Sequence, residues 1–376
     1  MGDRDVLATA DVTDEQLAAM VSSHLGAPDV EVLESTADIA PYDLEALTTA
    51  GRYRVHGVAR HTGGEAPFQF YVKVVQSWER SPIFAFVPEE VREAALAGLP
   101  WKREPQVYRS DLPDLMPAGL TMPRCYGVFD VDELSAAIWL ELVDAVDIRW
   151  DVERFRSAAY LLGRLAASSR VAPVASIGDI GSVPRQYAFG RLAHQVLPPL
   201  RGEDIWNHPL IAATFDDDLR KGLTAAAESL PDYLDELDAF PVGTIHGDAC
   251  TRNLLVTRDD GFVVIDFGFW GRGPLGFDLT QLLMGEAQMG ERPAAELAAL
   301  EEACLPAYRQ GLLDEGIKVS ENELRRAHAL LMLEFAGLSA IPFEHLDGPP
   351  TAERLRIAGE RAASARFILD LGAATS

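Results

Sequence analysis

The chain has 376 residues, 48% hydrophobic and 24% charged, the composition of a globular protein with one large or two ordinary domains. A formal net charge of −25 argues against nucleic acid or an anionic membrane as partner, since both would be repelled. Three widely spaced cysteines, Cys125, Cys250 and Cys304, fit neither a disulfide framework nor a zinc site.

Taken in chain order, the N-terminus MGDRDVLATADVTDEQ is acidic and lacks an apolar core, so it does not read as a secretory signal. Thr13 and Gln16 form a capping-box pattern, and Leu17, Met20, Val21 and Leu25 follow at helical spacing up to Gly26. RYRVHGVAR and FQFYVKVV predict two strands, with HTGGEAP as the turn between them. CYGVFD and SAAIWLELV predict a second strand pair turning at VDEL. The intervening EEVREAALAGLPWKREPQVYRSDL is rich in helix formers and interrupted by Pro100 and Pro105. Asp151 is placed to cap a helix whose inner face carries Phe155, Ala158, Ala159, Leu162 and Ala166. Helical patterns recur near 278–290, 293–313, 321–340 and 351–371. The late apolar stretch ALLMLEFAGLSAIPF, broken by Glu334, is too short to span a bilayer. These features predict a cytoplasmic α+β protein. Residues 1–140 form a small antiparallel-sheet lobe whose first 40 residues are a helical extension. A hinge lies near 140–144, and 141–376 form a larger helical lobe.

One stretch departs from the helical character of the second half: TIHGDACTRNLLVTRDDGFVVIDFGFWG, residues 244–271. LLVT and FVVID are short β-rich runs joined by RDDG, a strong hairpin signal. The midpoint between Asn253 and Asp266 falls inside that turn, so the hairpin brings them to one end, with facing residues about 4.5–5.5 Å apart. Asp248 precedes the first strand and opens toward the same end. Two acids and an amide converging there suit a hard divalent cation such as Mg²⁺. They also suit a carboxylate that accepts a proton from an attacking hydroxyl, the logic of phosphoryl transfer.

Asp248 to Asn253 reads D-x-x-x-x-N, and Asp266-Phe267-Gly268 reads D-F-G, both spacings of the protein-kinase signature. Gly247 stands where protein kinases carry Arg. The pattern HGDACTRN…VIDFG resembles the aminoglycoside phosphotransferase and choline kinase family, small-molecule kinases with a protein-kinase-like bilobal fold. The resemblance is clear over 240–285 and weaker over 45–175.

The resemblance implies roles. Asp248 would orient and deprotonate the acceptor hydroxyl, and Asn253 and Asp266 would hold Mg²⁺. Lys73, inside FQFYVKVV, would hold the α/β-phosphates of ATP and pair with a helical Glu. Glu104 is the choice, over Glu89, Glu90 and Glu93. Read without the family, Lys73 is an edge or solvent-facing lysine with a buried stem. WLELVDA, 139–145, would be the adenine-binding hinge through the Glu141 carbonyl and the Val143 amide. EALTTAGRYRV would cover the phosphates, with Thr48, Thr49 and Gly51 available. His246 would be structural. Asp278 would brace the catalytic loop, or cap its own helix. Cys250 reads as a small packed side chain.

The function implied is an ATP-dependent kinase acting on a hydroxyl of a small molecule, with a catalytically inactive kinase-like binding protein as the alternative. A protein kinase is disfavoured, because there is no room for an activation segment between Asp266 and Asp278 and no A-P-E follows. A cationic, aminoglycoside- or amino-sugar-like acceptor would suit the negative charge. TFDDDL at 214–219 and DYLDELD at 232–238 are candidate walls for it, against the ordinary reading of charge runs as solvated faces. The ACTR that follows Asp248, and the extra residues at 1–40 and 81–100, depart from compact resistance enzymes. A metabolic or biosynthetic alcohol is therefore equally open.

Overall fold

The computed structural model describes residues 3–42 and 46–375. The chain divides into two compact units. Unit 1 holds the chain up to Leu115, Thr121–Val146 and Val256–Gly268; unit 2 holds Met116–Leu120, Asp147–Leu255 and the chain from Phe269 onward. The long break falls after Val146 because residues 141–146 are tied to unit 1. Val146 N–H donates to the Val256 carbonyl at 2.8 Å, and Asp144 pairs with Arg258 at 2.9 Å.

Unit 1 is built on a five-stranded antiparallel sheet. Its strands are β1 (Glu31–Ile39), β2 (Thr49–His61), β3 (Gly64–Gln76), β4 (Cys125–Asp132) and β5 (Ser135–Glu141), in the order β1-β2-β3-β5-β4. The β2–β3 strands run further than their apolar cores suggest, and only Thr62 and Gly63 remain as the turn. Pro67 is tolerated in β3 because β5 pairs only with Phe70–Gln76, so the missing N–H removes no bond on that side. The 1–40 extension is helical only up to Leu25; β1 then adds an edge strand.

Helix α1 (Asp14–Leu25) starts at the expected capping box, with reciprocal Thr13 and Gln16 hydrogen bonds of 2.9 and 3.2 Å. It stops at Gly26, whose φ of 60° is left-handed. Leu17, Met20 and Val21 of α1, with Leu7, pack on one sheet face formed by Val55, Phe68, Phe70, Val72, Val74, Ala137 and Trp139. In β3 the residues of that face alternate with Lys73, so the two-residue period of the strand turns Lys73 to the opposite face. Short helices follow β3, interrupted at Pro100 as expected. One of them, α2 (Arg103–Tyr108), accommodates Pro105 because it lies in the first turn, where no backbone N–H is required.

Unit 2 is mainly helical. Asp151 caps α3 (Val152–Ala167), accepting from Arg154 N–H at 2.9 Å, and the buried stripe includes Phe155, Ala158, Ala159, Leu162 and Ala166. α3 crosses α5 (Leu297–Asp314) at backbone contact distance: a Cβ on Gly163 would lie 2.1 Å from the Tyr308 carbonyl oxygen, and one on Gly311 would lie 2.1 Å from that of Tyr160. Strands β6 (Val242–Ile245) and β9 (Gly271–Pro274) pair antiparallel, Ile245 opposite Gly271. Between them in sequence lie β7 (Leu254–Val256), at the unit boundary, and a turn and β8 (Phe262–Val264), which belong to unit 1. The turn is the predicted one, closed by Thr257 N–H to the Gly261 carbonyl at 3.0 Å, with Asp260 at φ 61°. Helices α4 (Phe277–Gln288), α5, α6 (Glu321–Met332) and α7 (Ala352–Ala374) complete the unit, α6 running on into a π-helical turn at Leu333–Gly337. The fold class is α+β, as expected. Among the described residues, no helix is long and apolar enough to cross a membrane.

Candidate active site

The unit boundary cuts the 244–271 stretch just before Val256, so Asp248 and Asn253 belong to unit 2 and Asp266 to unit 1. Each unit presents its own cluster.

In unit 1, Lys73 sits on an interior strand, opposite Arg52 of β2 and Ile138 of β5, and is only 5% exposed. It is therefore neither an edge lysine nor a solvated one. Its Nζ lies 2.9 and 2.7 Å from the two carboxylate oxygens of Glu104, and 3.0 Å from Asp266 Oδ1. Burial is the largest influence on the ammonium and would lower its pKa; Asp266 and Glu104 together outweigh it and raise it, so Lys73 stays charged. Glu104 is carried inward by α2, whereas Glu89, Glu90 and Glu93 are exposed. Asp266 adopts a left-handed backbone, φ 65°, a strained conformation that Asp tolerates better than most side chains.

The other unit 1 candidates lie along the strands that flank Lys73. Thr49 opens β2 opposite Val75, and the Thr48 carbonyl accepts from Gln76 N–H at 2.8 Å. Glu141 closes β5 opposite Phe70, and its N–H donates to the Arg124 carbonyl at 2.8 Å. The Val143 carbonyl accepts from Ala145 N–H at 3.0 Å. Glu45, the first residue of the expected phosphate-covering stretch, lies outside the described residues.

In unit 2, the 246–253 loop is held mostly through its backbone. Asp278, fully buried, accepts from His246 N–H at 2.8 Å and from Gly247 N–H at 2.9 Å. Burial pushes its carboxyl up to about 6, against the lowering effect of those two bonds. Asp278 is not the helix cap: α4 is capped by Gly276, at φ 95°. Gly247 is required by its conformation, φ 88°, and by space, since a Cβ there would lie 2.2 Å from the Phe269 carbonyl oxygen. His246 is buried, and its Nδ1 accepts from Asp248 N–H at 3.3 Å. Asn253 donates through Nδ2 to the Asp248 carbonyl at 2.9 Å and to its carboxylate at 2.8 Å. With the amide nitrogen committed to Asp248, Oδ1 is the atom left to meet a cation. Amide and carboxylate oxygens, which Asn253 offers in unit 2 and Asp266 in unit 1, are each of the donor type that Mg²⁺ prefers.

Residues outside the sequence-level candidates brace this loop. Thr251 Oγ1 donates to Glu286 at 2.7 Å. Buried Arg292 donates to the same carboxylate at 2.7 Å and to the Trp150 carbonyl at 3.0 Å, and its guanidinium lies 4.6 Å from the Phe155 ring centre. Gly285 lets α4 approach Cys250, since a Cβ there would come within 2.6 Å of the Cys250 Cβ. The available signal was α4 itself: Gly285 and Glu286 lie two turns after Asp278, close to the same face.

The two acidic runs are largely paired. Asp216 caps its helix and bridges to Arg366 at 2.8 Å; Asp235 and Asp238 both bind Arg185; Glu236 binds Arg326 at 2.8 Å.

Comparison with known proteins adds the following. A family model described as APH, phosphotransferase enzyme family, matches residues 114–312, just over half of the chain. No curated protein matches. Among solved structures, an aminoglycoside phosphotransferase from Alicyclobacillus acidocaldarius is 16% identical, covering 90% of this chain and 91% of its own, with a TM-score of 0.49. A choline kinase from Cryptosporidium parvum is 12% identical over 95% and 94%, TM-score 0.46. A macrolide 2'-phosphotransferase from Brachybacterium faecium is 17% identical over 87% and 91%, TM-score 0.42.

Proposed function

The chain belongs to the phosphotransferase enzyme family, and from that membership we propose an ATP-dependent small-molecule kinase that transfers the γ-phosphoryl group to a hydroxyl. The observation that carries the reading is the buried Lys73 ammonium held between Glu104 and Asp266. A lysine fixed by a helical glutamate is what positions a cation on the phosphates of a nucleotide.

In this reading Lys73 holds the α/β-phosphates. Thr48 and Thr49 cover the phosphates, and the Glu141 carbonyl and the Val143 amide bond to adenine. Asn253 and Asp266 hold Mg²⁺, which when bound neutralises charge on the β- and γ-phosphates. Asp248 accepts the hydroxyl proton as the acceptor oxygen bonds to the γ-phosphorus and the bond to the β-phosphate oxygen breaks, releasing ADP. The Asn253 amide, bonded to Asp248, fixes the orientation of that carboxylate. A small cationic, amino-sugar-like acceptor is supported by the net charge of −25, whose long-range field concentrates cations. The acidic runs lend less support, because arginines partly neutralise them. Free thiols at all three cysteines accord with a cytoplasmic setting.

The test is ADP release with Mg·ATP across aminoglycosides, amino sugars, macrolides and amino alcohols, alongside thermal shifts. Asp248→Asn is expected to lower kcat by roughly 10²–10⁴-fold while Mg·ATP still stabilises the protein. Turnover equal to wild type in that variant sinks the assignment. Nucleotide binding without ADP release on any acceptor assigns the chain instead to inactive kinase-like binding proteins.

A further inference from the structure

Arg103 directly precedes Glu104 on α2 and is 3% exposed. Its Nη1 donates to the Gly268 carbonyl at 3.0 Å, while Nε and Nη2 are buried with no hydrogen-bond partner. Burial lowers its pKa to about 10, with no opposing influence from any carboxylate. A guanidinium buried in this way opposes folding, and a methionine of similar length would fill the space without that penalty. A buried group left this incompletely satisfied calls for a reason other than packing.

Its one bond supplies the reason. The Phe267 N–H donates to the Glu104 carboxylate, and the Phe267 ring meets the Tyr108 ring edge-to-face, centroids 5.6 Å apart. The 266–267 peptide is thus held through its N–H by Glu104 and the 268–269 peptide through its carbonyl by Arg103, the two being neighbours on α2, and Tyr108 adds a third hold one turn further on. Asp266 is itself strained at φ 65°, so something must hold it there. We propose that Arg103 is a positioning residue: by pinning the Gly268 peptide it locks Asp266 in its left-handed conformation and ties the direction of that carboxylate to the Lys73–Glu104 pair. The inference rests on the reading of Asp266 as a metal ligand.

The experiment compares Arg103→Met, Arg103→Lys and Asp266→Asn with wild type in three readouts. These are Mn²⁺ affinity in the presence of ADP by EPR, amide exchange of the 265–269 segment in the nucleotide-free protein, and the urea midpoint. Arg103→Met is expected to keep or raise the urea midpoint, to speed exchange at 265–269, and to weaken Mn²⁺ by about 10-fold or more, as loss of an outer partner does. Arg103→Lys keeps one donor and is expected to recover most of the affinity. If Arg103→Met fails to fold, Arg103→Lys and Arg103→Gln carry the test, since both retain a donor of different reach and charge. Those two variants are then expected to be graded in exchange and affinity, and wild-type values in both overturn the proposal. Mn²⁺ affinity and exchange within two-fold of wild type in Arg103→Met overturn the role of Arg103 while Asp266→Asn still weakens the metal. If Asp266→Asn leaves Mn²⁺ affinity unchanged, it is the reading of Asp266 that fails.

Discussion

The two clusters are held in place by different physics. In unit 1, Lys73, Glu104 and Asp266 are fixed by opposite charges where Lys73 and Glu104 are almost wholly removed from water. In unit 2, the 246–253 loop is fixed by backbone N–H groups on Asp278, a glycine that no other residue can replace, and a threonine hydroxyl on Glu286. The first arrangement depends on every member keeping its charge, because a buried ion without its partner is costly. The second depends on backbone shape, so its side chains tolerate change better than its glycine does.

The largest effect expected from this contrast is at Lys73. Lys73→Met leaves two carboxylates facing each other in the sheet unit, and urea denaturation should show a loss of about 3–5 kcal/mol. A loss below about 1 kcal/mol would mean that charge is not what organises the cluster.

Next is Asp278. Its folded value of about 6 exceeds the ordinary 3.8, so the native state binds this proton more tightly than the unfolded chain does. Its contribution is fully present below about pH 4 and is lost as pH rises through 6, amounting to about 3 kcal/mol by pH 7. The stability difference between wild type and Asp278→Asn, taken from urea curves, should change by about that amount between pH 4 and pH 7. A constant offset across the range would show that the carboxyl titrates normally.

The smallest effect is at Thr251. Thr251→Val removes one bond to Glu286 and should lower stability by about 1 kcal/mol. Turnover should fall further than affinity for ATP, since the bond steadies the loop that carries Asp248. Equal changes in kcat and in the KM for ATP would argue that the bracing is not specific to that loop.

Much of this was legible because its signals are local. Asp259-Asp260-Gly261 announces the turn between β7 and β8, and His246-Gly247-Asp248 carries its glycine where the backbone is left-handed. The Thr13–Gln16 box and the Asp151 cap act within one helical turn. Long-range structure was harder to read. Glu31–Ile39 shows no clean alternation because, as an edge strand, it buries little, Ser35 being its one fully buried residue. Pro67 reads as a strand terminator unless it is known that no neighbour pairs there. Asp278, read from its neighbours alone, is an ordinary cap; the bracing role comes only from the family resemblance, and it is the fold that brings the His246 and Gly247 N–H groups onto its carboxylate. Arg103 and Arg292 are charged residues in polar stretches, and nothing in their neighbours marks them as buried.

The N-terminal segment changes how the chain should be handled. Residues 7–21 cover Phe68, Phe70, Val72 and Trp139, each large enough to be worth about 1.5–3 kcal/mol when buried. A recombinant version begun at β1, for the sake of a tidier alignment with shorter enzymes, would present a greasy slab to the solvent and should be recovered from the pellet.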